Sequence, residues 1–188
     1  MSESLDQSRR ALEEAFFAEH NEKLRQRLIE ADRLNSRKAA LSAASGITDE
    51  AVLARIMALD IGPEALVALS LVPLLLVAWA DGALDEDERA AILKAAEEAK
   101  IGRAGPAHEL LAGWLQRPPP AALFETWSGY IRAVTARLDG PQRDELRTHL
   151  LGTVRAVAEA SGGFLGLGRK VSSAEAAMLA RLEGAFAA

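Results

Sequence analysis

Leu71-Val-Pro-Leu-Leu-Leu-Val-Ala-Trp-Ala-Asp-Gly-Ala-Leu-Asp-Glu-Asp-Glu-Arg-Ala-Ala-Ile-Leu93 decides how this chain folds. Its apolar first half stops at Asp81-Gly82, and an amphipathic second half opens with Asp85-Glu86-Asp87-Glu88. Glycine enters the left-handed region without a Cβ penalty, so Gly82 is placed to leave the first helix. Asp85 is then a helix cap, and Glu88, three residues on, is its partner in a capping-box pattern. The stretch predicts a helix hairpin whose short turn carries several carboxylates beside a buried wall.

A second copy follows downstream. Val154-Arg-Ala-Val-Ala-Glu-Ala-Ser-Gly162 repeats the run into the turn, and Val171-Ser-Ser-Ala-Glu175-Ala-Ala-Met178-Leu179 repeats Leu84 to Ile92. Gly162 stands for Gly82, Ser172 for Asp85 and Glu175 for Glu88, while Ser161 replaces Asp81. The second copy also holds an insertion, Gly163-Phe-Leu-Gly-Leu-Gly-Arg-Lys170. Two copies are too few for a solenoid, which stacks three or more units. They predict one domain of two related hairpins, over about 63–100 and 141–187.

Ala80-Asp81-Gly82 with Glu88, and Ala160-Ser161-Gly162 with Glu175, resemble the mark of the TerB-like (tellurite-resistance B) family. That family also includes the N-terminal domain of a DnaJ-like co-chaperone. The resemblance runs from about Thr48 to the C-terminus, and Ser161 departs from the acidic pattern. It implies an all-α bundle and a metal site built on the acidic residues. It further implies a role in tellurite or metal stress response, exerted through membrane-associated or chaperone partners.

Composition bounds the rest. Apolar residues reach 49% but aromatics only 5%, and no sustained β-alternation occurs, so an all-α protein is expected. A net charge of −5 argues against a nucleic-acid role, because phosphate binding needs a basic face. The absence of cysteine excludes disulfides, thiolate metal sites and cysteine nucleophiles. The N-terminus lacks the basic start and apolar centre of a signal peptide, so a cytoplasmic protein is expected.

Along the chain, Ser4 and Gln7 read as a capping box opening a helix that continues to about Ser42 or Ala44. Leu5, Leu12, Phe16, Leu24, Leu28, Ala31 and Leu34 give it a thin apolar stripe among charges of both signs. Residues 1–46 are therefore expected to form an arm, solvated or serving as a partner or homodimer contact, ahead of a domain over 47–188. Thr48 is read as the next cap. Gly62-Pro63 opens a helix over Ala65 to Ala80, with a kink expected at Pro73. That run is too short for a membrane span and ends on acid, so it reads as buried core. Pro118-Pro119-Pro120 is a rigid connector, and Asp139-Gly-Pro-Gln142 starts a helix faced by Leu146, Leu150, Val154 and Val157. The last helix runs from Ser172 to Phe186, with Met178, Leu182 and Phe186 inward, and Trp79, Trp114 and Trp127 read as packing.

Chemistry is sparse. Asp81, Asp85, Glu88 and Glu175 are the candidate metal ligands, suited to a divalent ion of the Ca²⁺ or Mg²⁺ class, which takes oxygen donors. The competing reading is capping and complementing of the helix dipole, and the spacing is not that of an EF-hand. Phe164, Leu165 and Leu167 in the glycine-rich insertion are candidate partner-binding residues. Gly163 to Gly168 has P-loop spacing, but Arg169-Lys170-Val171 stands where Lys-Ser/Thr is needed. His108-Glu109 lacks the second histidine of HExxH. A non-enzymatic metal-binding protein is the first expectation, a metal-free helical adaptor the second, and a carboxylate-dependent hydrolase a distant third.

Overall fold

The computed structural model describes the backbone of residues 2–160 and 172–186, and the side chains of these except 2–16, 157, 159 and 160. All regular structure among them is helical: α1 (Ser2–Ser45), α2 (Glu50–Ala58), a 3₁₀ segment (Pro63–Leu71), α3 (Val72–Ala78), α4 (Glu86–Glu98), α5 (Pro106–Gln116), α6 (Ala122–Thr135), α7 (Gly140–Ala160) and α8 (Ser173–Gly184). The chain divides into two compact units, 1–40 and 41–188.

The first unit is α1 up to Ala40. Ser4 lies inside this helix rather than capping it, since α1 already begins at Ser2. Charged pairs three and four residues apart lie on its surface, Arg25 with Glu22 and Lys23 Nζ with Glu19 Oε1 at 2.6 Å.

The second unit begins at Leu41, near the end of α1, six residues before the expected start at 47. The reason is Leu41, which is fully buried in the core of this unit. Gly46, at φ +69°, ends the helix, and its carbonyl accepts a hydrogen bond from Arg137 Nη1 at 2.7 Å. Asp49, not Thr48, caps α2: its carboxylate accepts from the amides of Ala51 and Val52. Aspartate caps as well as or better than threonine, and it stands next to the first helical residue.

α3 is the centre of this unit. Each residue from Val72 to Ala78 is buried, and α4, α6, α7, α8 and the 3₁₀ segment all touch it. The expected kinked α-helix over Ala65 to Ala80 is instead a 3₁₀ segment followed by a short α-helix. Pro73 explains the break. It has no N–H to return to the Leu69 carbonyl, and that carbonyl accepts from Val72 N–H in the tighter 3₁₀ pattern. Burial in the segment follows the same period: Glu64, Val67 and Ser70 face outward while the pairs between them are buried. α5 lies along it. Among the described residues no single helix is long and apolar enough to cross a membrane.

The two hairpins interlock. α3 packs on α7 and α8, and α4 packs on α7. Among the described side chains of α7, Leu151, Val154 and Ala158 are buried and Leu146 and Leu150 only partly covered; Val157 lies outside the described residues. The tryptophans serve packing. Trp127 meets the Phe186 ring edge-on at 6.0 Å, and Trp79 Nε1 donates to the Trp114 carbonyl at 2.9 Å.

Candidate functional site

The acidic turn forms where α3 ends at Trp79. Gly82 sits at φ +93°, and its N–H closes the turn on the Trp79 carbonyl at 3.0 Å. A Cβ there would meet no atom within 4 Å, so backbone conformation alone asks for glycine. Asp81 accepts from Ala83 N–H at 3.1 Å and stays exposed. Asp85 is extended, and its carboxylate accepts from Glu88 N–H at 2.7 Å. Glu88 returns the bond, accepting from Asp85 N–H at 3.0 Å. This is a complete capping box, with two orphan amides of the helix start satisfied.

The second copy reproduces it. Ser172 is also extended; its hydroxyl accepts from Glu175 N–H at 3.1 Å, and Glu175 accepts from Ser172 N–H at 2.5 Å. A third box opens α7, where Asp139 and Gln142 exchange the same pair of bonds. Ser172 and Glu175 therefore match Asp85 and Glu88 in their bonding, while the rest of the second turn lies outside the described residues.

Both glutamates are inside the protein. Glu88 is 6% exposed and Glu175 9%. Burial pushes the Glu88 carboxyl up to about 7, the bond from Asp85 N–H opposes the rise, and the charges of Asp85, Glu175 and Asp81 add to it. Among the four candidate ligands, then, two are buried box members and two, Asp81 and Asp85, lie at the surface. They act on one another through charge. Among the described residues, no three His, Cys, Asp or Glu side chains gather closely enough to hold a metal ion.

The candidate partner-binding residues Phe164, Leu165 and Leu167 lie outside the described residues, as do Ser161 and Gly162. A different apolar surface is visible. Seven large apolar side chains are exposed among the described residues, and five of them (Phe17, Leu24, Leu28, Ile29 and Leu34) fall on α1. Leu28 is 63% exposed and Leu24 50%. Phe17, seven residues before Leu24, falls in line with Leu24, Leu28 and Ala31; Phe16, the residue read from the sequence, is one position off that line. The spacing of seven from Leu24 was the available signal.

No family model, no curated protein and no solved structure matches this chain. The TerB-like likeness rests on the residues of the two capping turns.

Proposed function

We propose that this chain is a non-enzymatic helical adaptor, TerB-like in its paired hairpins, working in the cytoplasm through protein partners bound along α1. The observation behind this reading is the concentration of exposed large apolar side chains on that one helix. Exposed apolar surface on this scale marks interaction surfaces. The capping turns are consistent with this reading, because both glutamates are engaged in boxes that close the starts of their own helices. The TerB-like resemblance favours a role in metal or tellurite stress response. In extracts of its own cells the protein should elute as a complex larger than a monomer. The double substitution Leu24→Asp/Leu28→Asp should return it to monomer size with its melting temperature unchanged. A monomer in the extract before any substitution would overturn the adaptor reading.

One observation favours a second reading, a divalent cation at the acidic turn. Glu88 is buried under the negative charges of Asp85, Glu175 and Asp81, and a cation would relieve that repulsion. A thermal shift with Ca²⁺, Mg²⁺, Mn²⁺ and Zn²⁺, each against chelator, tests this reading.

A further inference from the structure

The charges of α1 are sorted along its length. From residue 1 to 22 there are six acidic and two basic side chains, a net −4. From 23 to 40 there are six basic and two acidic, a net +4. The sign changes between Glu22 and Lys23, near the middle of the arm. Acid first and base last also suits the helix dipole, but that effect acts only in the end turns and asks for no apolar face.

An apolar seam crosses the point where the sign changes. Phe17, Leu24 and Ala31 recur every seven residues, and Asn21, Leu28 and Asn35 fall four residues after them. These are the d and a positions of a short heptad pattern, with asparagine at two of the a sites. Leu24 and Leu28 at its centre are both exposed, by half and by more than half of their surface.

From these two features we infer that α1 pairs with α1 of a second copy of this chain, antiparallel, about a two-fold axis between residues 22 and 23. In that orientation each −4 half faces a +4 half, and the seam of each helix covers the other. A parallel pair would set like-charged halves side by side, which is unfavourable. This deepens the adaptor reading by naming one partner, and it rests on the same helix.

The chain has no cysteine, so one introduced residue is the only thiol. About the proposed axis, two copies of residue 21 stand about 5 Å apart along the helices and two copies of residue 35 about 38 Å apart. The full-length protein is expected to sediment as a dimer in the micromolar range. Mild oxidation should cross-link Asn21→Cys to itself and leave Asn35→Cys uncoupled. Leu24→Asp/Leu28→Asp should sediment as a monomer. Efficient cross-linking of Asn35→Cys would show a parallel pair and overturn the proposal. So would failure of Asn21→Cys to cross-link, or a purified protein that stays monomeric. A monomer when pure that enters a complex in extract would sink self-pairing while leaving the adaptor reading intact.

Discussion

Glu88 is pulled in two directions. Its backbone bonds hold it in the capping box, while its burial and three neighbouring carboxylates disfavour its charge. The carboxyl is raised to about 7 in the fold, above its value in the unfolded chain, so the folded state holds the proton more tightly. Its contribution is therefore fully present below the unfolded value and is lost as pH rises through about 7. The span is about 3 kcal/mol at most. Glu88→Gln keeps the box, because the amide oxygen still accepts from Asp85 N–H, and it removes the ionisation. The stability of the wild type minus that of Glu88→Gln should fall between pH 5 and pH 7.5 and level off above. Urea titrations across that range check it, and a pH-independent difference would show Glu88 titrating normally. At the paired caps, Asp85→Ala and Ser172→Ala should each cost about 1 kcal/mol, the usual worth of a cap.

Elements were legible in the sequence where a period or a cap marked them. Asp85 with Glu88 and Ser172 with Glu175 are short-range patterns, and the structure forms both boxes. The 3₁₀ segment was not legible, because an almost unbroken apolar run from Ala65 to Ala78 leaves few polar residues to declare a spacing. Only Glu64 and Ser70 hint at it, six residues apart. The site was legible as residues but not as geometry: the sequence places carboxylates near one turn, and only packing decides that Glu88 goes inside while Asp81 stays out. The end of α1 was legible to within a few residues, but the start of the second unit was not, since a lone Leu41 carries no sign of which unit it will serve. Its full burial makes that assignment testable. Leu41→Ala should cost about 2–5 kcal/mol in the unit it anchors. Removing residues 1–36, which spares Leu41, should leave the cooperative melt intact, whereas removing residues 1–45 should lower its midpoint. Differential scanning calorimetry distinguishes the two truncations.

For the whole molecule, net charge and ion response are the informative quantities. Residues 1–40 carry no net charge, so the −5 of the chain belongs to residues 41–188. The net acidity of the chain thus lies in the unit that contains Glu88 and Glu175. If a divalent ion binds there, saturation at about 100 times its dissociation constant would stabilise the fold by about 2.7 kcal/mol. That corresponds to a rise of roughly 5–10 °C in melting temperature for a protein of this size. Asp85→Asn/Glu88→Gln keeps the caps and should abolish the rise. No rise in the wild type with any of the four ions would leave the turn a cap alone.

The 3₁₀ segment constrains how the chain can change length. Nine residues rising about 2.0 Å each span about 18 Å, close to the roughly 16 Å of the eleven-residue α5 that lies along them. Each residue also turns the face by about 120°. Losing or gaining one or two residues between Pro63 and Leu71 would swing Val67 and Ser70 inward and bring leucines out. Losing or gaining three returns every side chain to its own face, at the cost of sliding against α5 by about one turn of that helix, roughly 6 Å. Insertions and deletions in this segment should therefore survive only in threes.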